Sequence, residues 1–208
     1  MFVEFDGFSV KRIVNGGLQT NSYIIKFGNK CVVVDPASKV VNAFCEEEQL
    51  EVMAVLLTHG HFDHIKGVAP FKEKNIPVYI HELDNPKCNG EAMMDWLNRF
   101  RIEPFNCDKY VADGDILDFD GLQIKVIHTA GHSAGGVCYV VKNVIFSGDT
   151  IFLDSYGRYD FADSSFADLK HSILDKLFKL EGDYVVYSGH GESTTLNNER
   201  KGNMILWS

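Results

Sequence analysis

The sequence predicts an α/β protein built from two similar halves. Short apolar runs typical of buried strands alternate with segments of helical spacing, and no low-complexity linker separates the halves. Several strands are followed by a glycine and then by a histidine or an aspartate. Because a sheet can hold the loops at its edge rigidly, such side chains can meet there. We therefore expect one domain over residues 1–208, with a functional site at the edge of its sheets.

The first half is predicted to be rich in strands. Turn sequences at 15–17 and 28–29 separate the earliest of them. The expected strands are 8–14, 22–27, 31–34, 52–57 and 78–80. The expected helices are 40–49, 67–74 and 91–100.

The second half repeats the strands and then adds a long amphipathic helix. The expected strands are 122–127, 137–141, 144–146 and 184–187. Apolar residues recur at helical spacing from Phe166 to Leu180, which predicts one continuous helix. Ser164 and Ser165 are candidate N-caps, and Gly182 follows the expected end.

The segment after the 52–57 strand is rich in metal-ligand side chains. His59, His61, Asp63 and His64 lie within six consecutive positions, 59–64. Imidazole suits zinc or iron, and a carboxylate can complete or share such a site. His59 and His61 can contact one metal from a turning loop, while Asp63 and His64 can turn toward a second one.

A metal site needs more ligands than this loop offers, and three later positions can supply them. His132, Asp149 and His190 each follow a predicted strand and have a glycine beside them. The glycine allows a sharp backbone turn, which can direct the side chain to a common point. The sequence therefore predicts a metal centre of seven ligands from both halves.

These seven residues, in this order, resemble the metallo-β-lactamase superfamily over about residues 21–203. Asp35-Pro36, after an apolar strand, matches the early aspartate of that family. The segment Gly157-Arg158-x-Asp160 and the tail after His190 are most similar to small single-domain relatives of hydroxyacylglutathione hydrolase (glyoxalase II). The resemblance implies a four-layer αββα sandwich.

The resemblance also implies how the metals are held. Metal one takes His59, His61 and His132, and metal two takes Asp63, His64 and His190. Asp149 bridges them, with a hydroxide held between. The expected cofactors are two divalent ions, zinc first, with iron or manganese as alternatives.

The implied function is a binuclear zinc thioesterase acting on a small molecule through the bridging hydroxide. Three ligands and a shared carboxylate leave open positions on each metal, which is typical of catalytic sites. Metal lowers the pKa of bound water to about 7, so hydroxide is available at neutral pH. Asp63 and Asp149 are the candidate catalytic residues.

Other functions remain open. One is a mononuclear iron persulfide dioxygenase, another a lactone hydrolase, and a third a non-enzymatic metal-binding protein. Only 18 residues follow His190, so we expect no C-terminal helical domain such as the longer glyoxalase II forms carry. Whether glutathione is the thiol therefore stays open, as does the oligomeric state.

Composition excludes several classes of function. The formal net charge of −9 disfavours binding to nucleic acid, which usually needs a basic surface. Five scattered cysteines without a C-x-x-C pair indicate reduced thiols in a cytosolic protein. The amino terminus lacks the features of a signal peptide, and no apolar run approaches 18 residues. We expect a cytoplasmic protein with no membrane partner.

Three further residues allow two interpretations each. Asp35 is either a turn aspartate that binds backbone N–H groups or a carboxylate that orients a ligand imidazole. Arg158 and Asp160 form either a structural ion pair or the lip of a pocket that meets an anionic substrate.

Overall fold

The computed structural model describes all residues from 1 to 208, and they form two compact units. The first unit comprises Met1–Ile80 and Asn85–Tyr110, and the second comprises His81–Asp84 and Val111–Ser208. Each has its own sheet and its own helices. The chain is therefore α/β, as the sequence predicts. The assignment of residues 1–208 to a single domain stays a prediction.

The first unit contains a seven-stranded sheet in which the strands follow chain order. Its strands are β1 (Val3–Phe5), β2 (Phe8–Asn15), β3 (Thr20–Phe27), β4 (Lys30–Val34), β5 (Glu51–Leu56), β6 (Val78–His81) and β7 (Lys109–Val111). The pairs from β1 to β4 are antiparallel, whereas β4, β5 and β6 run parallel. Parallel neighbours end at the same sheet edge, so the segments that follow β4 and β5 start side by side.

Five short helices belong to this unit. They are α1 (Lys39–Glu47), α2 (Phe62–Ile65), α3 (Ala69–Glu73), α4 (Asn85–Cys88) and α5 (Met94–Phe100). Ser38 caps α1 by accepting a hydrogen bond from the Val40 amide. One apolar cluster joins the sheet to these helices and includes the fully buried Phe71, Leu57 and Leu97. This core fixes the edge from which the predicted ligand loop leaves.

The second unit contains a six-stranded sheet of order β15-β14-β11-β10-β9-β8, with a separate two-stranded pair, β12-β13. Its strands are β8 (Ile116–Phe119), β9 (Leu122–His128), β10 (Val137–Val141), β11 (Val144–Gly148), β12 (Ile151–Phe152), β13 (Ser155–Tyr156), β14 (Val185–Ser188) and β15 (Thr194–Thr195). Only β11 and β14 pair in parallel among the pairs of this sheet. Their shared end precedes both Asp149 and His190.

The long helix expected over Phe166–Leu180 is not continuous. An α-helix, α6 (Phe166–His171), passes into a π-helical segment, Ser172–Lys176, and then a short 3-10 segment, Leu177–Lys179. The fully buried Leu169, Ile173 and Leu177 are spaced by four residues. Residues spaced by four lie on the same face of a helix, so this row stays on the core side while the hydrogen-bond pattern changes from α to π and then to 3-10.

Helix boundaries also differ at α5, which begins at Met94 rather than at residue 91. Asn89 accepts a hydrogen bond from the Glu91 amide, and this local turn competes with helix at that point.

One helix that the sequence did not predict, α7 (Leu196–Gly202), is capped by Thr195. None of the helices has both the length and the apolar character that crossing a membrane would require.

Candidate metal centre

The loop that follows β5 places four predicted ligands next to one another in the first unit. We call His59, His61, Asp63 and His64 the loop cluster. The rings of His59 and His61 meet edge to face, with centroids 4.6 Å apart. The His59 and His64 rings lie 4.1 Å apart. All three histidines are at least 95% buried, so the sheet edge holds these rings with little freedom.

Asp35 orients the loop cluster from the end of β4. Its Oδ2 accepts a hydrogen bond from Nδ1 of His64 (2.9 Å) and one from Oγ1 of Thr58 (2.5 Å). Its Oδ1 accepts from the Thr58 amide (2.7 Å). Both interpretations of this residue therefore apply, since one carboxylate binds a backbone amide and also orients an imidazole.

Thr58 extends this arrangement to His59. The Thr58 hydroxyl donates its proton to Asp35, so its oxygen can accept from Nδ1 of His59 at 3.1 Å. A single carboxylate thus sets the rings of two histidines, one directly and one through a hydroxyl. In both rings the proton is on Nδ1, which leaves a lone pair on Nε2 for a metal.

Thr20 holds the carboxylate of the loop cluster. Its Oγ1 donates to Oδ2 of Asp63 at 2.9 Å from the start of β3. The same Oδ2 lies 3.7 Å from Nε2 of His64. Thr20 is only 1% exposed, so its hydroxyl is held where it can direct the carboxylate.

The second unit brings its three predicted ligands together around one oxygen atom. We call His132, Asp149 and His190 the sheet-edge cluster. Oδ2 of Asp149 lies 3.5 Å from Nε2 of His132 and 3.4 Å from Nε2 of His190. The three ligands follow β9, β11 and β14 in the chain. In the sheet β11 and β14 are neighbours, and β10 lies between β11 and β9. A carboxylate oxygen placed between two imidazoles forms a donor set of two histidines and one carboxylate that suits a metal ion.

Gly157 allows the backbone to approach this cluster closely. Nδ1 of His132 donates to the carbonyl oxygen of Arg158 at 2.8 Å, which again leaves Nε2 for a metal. A Cβ atom at residue 157 would lie 1.8 Å from the Asp149 carbonyl oxygen and 3.2 Å from Nδ1 of His132. Only glycine fits here without moving both ligands.

Asp84 fixes the turn that carries His132. This fully buried carboxylate accepts from the Ser133 hydroxyl (2.9 Å) and from the Gly135 amide (2.8 Å). Asp84, Thr20 and Thr58 are not recognisable from the sequence as parts of the site, and Gly157 enters there only through the family resemblance. Their role depends on which partners the fold brings to them, and a small polar residue in a loop carries no such signal.

Arg158 and Asp160 form the ion pair that was one of the two sequence interpretations. Two bonds, Nε to Oδ1 at 2.9 Å and Nη2 to Oδ2 at 2.8 Å, join them on the surface. The pairing raises the pKa of Arg158 and lowers the pKa of Asp160. The guanidinium also lies 4.7 Å from the ring centroid of Phe161, whose ring meets that of His132 edge to face.

The donor set in each unit fits a divalent metal ion. A neutral histidine with its proton on Nδ1 presents a lone pair at Nε2. In His64 and in His132 that lone pair faces a carboxylate oxygen, at 3.7 Å and 3.5 Å. Two acceptors facing each other are stabilised when a cation lies between them, and imidazole with carboxylate suits zinc, iron or manganese.

Comparison with known proteins identifies the family. The profile of the metallo-beta-lactamase superfamily matches residues 15–190, a span that includes all seven predicted ligands. The chain belongs to the metallo-β-lactamase superfamily. It is also 30% identical to hydroxyacylglutathione hydrolase GloC of Haemophilus influenzae, over 84% of this chain and 86% of that protein.

Two solved structures are similar to this chain along most of their length. BLEG-1 B3 metallo-beta-lactamase has a TM-score of 0.85 and 34% identity, over 96% of this chain and 100% of that one. TTHA1623 in a di-iron-bound form has a TM-score of 0.79 and 32% identity, over 93% and 98%. The predicted fold class is confirmed, and the chain is a superfamily member with histidine and aspartate clusters able to bind metal.

Proposed function

We propose that this protein is a thioester hydrolase that works with two divalent metal ions. The position of Asp149 carries the proposal, because one carboxylate oxygen lies within 3.5 Å of the Nε2 atoms of both His132 and His190. A carboxylate in this position can be shared by one ion on each side of it. The relative named hydroxyacylglutathione hydrolase supports a thioester as the substrate class.

The proposed ligand set joins the loop cluster to the sheet-edge cluster. One ion would be held by His59, His61 and His132, and the other by Asp63, His64 and His190. Asp149 would be shared between them. When bound, the two ions supply a hydroxide nucleophile at neutral pH and polarise the substrate carbonyl. Zinc is the first choice of metal. Iron is a second choice, since the relative TTHA1623 has a di-iron form.

The chain's own residues keep the ligand atoms in place during the reaction. Asp35 and Thr58 hold the His59 and His64 rings so that their Nε2 atoms stay available as ligands. The Arg158 carbonyl does the same for His132. Since ligand atoms placed beforehand need no rearrangement during turnover, this network favours a fast hydrolytic step.

Asp63 is the candidate proton carrier. Its carboxylate accepts a hydrogen bond from Thr20, which fixes its orientation, and a carboxylate can take up and release a proton beside the reacting groups. Thiols have a pKa of about 8.5, so a thiolate leaves without full protonation. A weak proton carrier is therefore sufficient for a thioester, whereas an amide substrate would need a stronger acid.

Cysteine is not the proposed nucleophile. The Cys138 thiol contacts the hydroxyl of Thr129, three residues before His132 in the chain, at 3.4 Å. Burial raises the pKa of this thiol to about 11. At neutral pH the group is a protonated thiol, and the thiolate is the reactive form.

A substrate panel with defined metal loading tests the proposal. The protein is prepared free of metal, loaded separately with zinc, iron(II) or manganese(II), and given an α-hydroxyacyl thioester of glutathione, an acyl thioester of a simple thiol, a lactone, a β-lactam and a persulfide. We expect thioester hydrolysis to exceed the other reactions, to stop with a chelator, and to return with metal. Oxygen consumption with the persulfide, without thioester cleavage, would contradict the proposal.

β-Lactam hydrolysis is the second candidate function. The specific observation in its favour is the 34% identity to BLEG-1 B3 metallo-beta-lactamase across nearly the whole of both chains. The same panel decides between the two, because it compares kcat/KM for the β-lactam and the thioesters on one metal-loaded sample.

A further inference from the structure

Three aromatic rings in the first unit form a stacked surface beside the loop cluster. We call Phe62, Trp96 and Phe100 the aromatic platform. Phe62 stacks on Phe100 with centroids 4.1 Å apart and planes within 6°, and on Trp96 at 5.1 Å and 16°. Trp96 and Phe100 lie 5.9 Å apart at 10°. The three rings are nearly parallel and form one stacked apolar group.

The chain itself ties this surface to the metal ligands. Phe62 lies between His61 and Asp63 in the sequence and begins α2. Both of its neighbours in the chain are therefore ligands of the loop cluster. Trp96 and Phe100 belong to α5 and meet Phe62 from a different part of the chain. The Trp96 ring lies 5.1 Å from the Phe62 ring, so the platform begins at the loop cluster and extends away from it.

Core packing accounts for two rings of the platform but not for the third. Phe62 and Phe100 pack against the apolar core of the first unit, and the fully buried Leu97 anchors α5 in it. Trp96 is 42% exposed and adds no side chain to that core. Its exposed indole is the part of the platform that can stack on a planar ligand.

Two cations border the platform, in a protein whose net charge is −9. The Arg99 guanidinium lies 5.6 Å from the Trp96 ring centroid and 5.7 Å from that of Phe100. The Lys66 ammonium lies 5.9 Å from the Phe100 centroid. Both side chains are exposed, so both can attract an anionic group that enters beside the rings.

We propose that the aromatic platform is a specificity surface for the acyl arm of the substrate. Trp96 stacks on a planar apolar acyl group, and Arg99 with Lys66 attracts a negative charge on the same molecule. The favoured substrates are aryl-acyl thioesters of anionic thiols. This inference rests on the proposed function for the reaction, but the binding surface can be tested apart from it.

Tryptophan fluorescence tests binding directly. The chain has two tryptophans, and Trp207 is 80% exposed near the other end. In a Trp207→Phe protein all tryptophan emission comes from Trp96. The probe is (phenacylthio)acetate, a thioether ketone that cannot be hydrolysed. The matched probe has methyl in place of phenyl. We expect a saturable change in Trp96 emission with the phenyl probe and binding about fivefold weaker or more with the methyl probe.

Steady-state kinetics tests the same surface during turnover. The substrates are the benzoyl and acetyl thioesters of thioglycolate. Trp96→Ala should raise KM for the benzoyl substrate by about five- to tenfold, with kcat and the acetyl KM nearly unchanged, because stacking is lost equally from ground and transition states. Arg99→Gln should raise KM for the charged substrates relative to a neutral thiol ester. Trp207→Ala is the matched control and should change neither.

The outcomes separate this inference from the proposed function. If the unmodified protein cleaves both thioesters and Trp96→Ala keeps their KM ratio, the platform does not select the acyl arm. If the unmodified protein cleaves neither, the proposed function fails, and the fluorescence titration alone decides the platform. Equal binding of the phenyl and methyl probes, or no binding of either, would overturn it.

Discussion

Asp35 shows how a single residue can organise a site without contacting substrate. Its φ of 49° is in the left-handed region, which is uncommon for residues other than glycine, asparagine and aspartate. The conformation is held by three hydrogen bonds to its carboxylate and one from the Ser22 hydroxyl to its carbonyl oxygen. Backbone strain at this position is thus offset by the contacts that orient His59 and His64.

Replacing Asp35 by asparagine should weaken metal binding while preserving the fold. Asparagine has nearly the same volume and also tolerates the left-handed region, but its nitrogen cannot accept the proton of His64 Nδ1. We expect metal affinity to fall by about 10- to 100-fold. Competition with a chromophoric chelator measures it, and Asp118→Asn, at a surface turn, is the control. Unchanged affinity in Asp35→Asn would show that the hydrogen bonds do not set the ligands.

Asp149 is the residue on which the binuclear proposal depends most. Asp149→Ala should reduce the affinity for both metals and abolish turnover. Asp149→Asn keeps the shape but removes the charge that a bridging ligand shares between two cations, so it should retain at most one ion. Elemental analysis after gel filtration gives the metal content of each variant. Two ions with a near-normal rate in either variant would make Asp149 an ordinary loop residue.

The sequence predicts the ligands better than it predicts the residues that orient them. His59, His132 and Asp149 are recognisable because histidine and aspartate beside glycine at strand ends are rare without a reason. Thr20 and Gly157 are common residue types in ordinary loops. Their function arises from a partner 43 residues away in the first case and from a close backbone approach in the second.

At the scale of elements, long apolar strands are predicted well and short ones are not. The strands β3, β4, β9 and β10 lie within about two residues of their expected bounds. β1 and β8 were missed, and each lies at the edge of its sheet with mainly exposed or half-buried residues. An edge strand buries little apolar surface, so its sequence carries a weak pattern.

Gly157 tests whether the close approach of backbone to ligands is required. A Cβ at this position would overlap the Asp149 carbonyl oxygen, which is backbone and cannot move aside by itself. Gly157→Ala should lower the free energy of unfolding by about 1–3 kcal/mol and weaken metal binding. Urea denaturation measures the first effect. Gly202→Ala, where the added Cβ would meet no atom within 4 Å, is the matched control and should be close to neutral.

A stacked histidine pair in the second unit predicts a pH dependence. The His81 and His128 rings lie 4.2 Å apart and within 8° of parallel. Burial first, and then the charge of His128, lowers the pKa of His81 below its ordinary value of 6.5. The unfolded chain therefore binds the proton more readily than the folded one. This contribution to stability is fully present above pH 6.5 and is lost as pH falls through the folded pKa.

His81→Asn should remove that part of the acid sensitivity. Asparagine can still accept the hydrogen bond that the Leu83 amide makes to His81 Nδ1. We expect the free energy of unfolding of the variant to fall less than that of the unmodified protein as the pH is lowered from above 6.5 to below it. His171→Asn, at an exposed site, is the control. Parallel curves for His81→Asn and the unmodified protein would contradict the expectation.

At the scale of the whole molecule, the proposed centre draws ligands from both compact units. Metal that binds only the folded chain stabilises it by mass action, by about 4 kcal/mol when free metal exceeds Kd 1,000-fold. We therefore expect a chelator to lower the midpoint of thermal unfolding and to affect both units. Calorimetry with and without chelator measures this shift. Loss of structure in one unit alone would show that metal binding is local to it.

Thioester hydrolysis by this protein is expected to need two ions per chain, and a metal titration of the rate measures that requirement. Metal-free protein at a concentration far above Kd receives zinc in fractions of an equivalent, while hydrolysis of one thioester is followed by release of the thiol. We expect the rate to keep rising until two equivalents are bound and then to stay constant. A rate that is already maximal at one equivalent, or no thioester cleavage at any loading, would rule out a two-ion thioesterase.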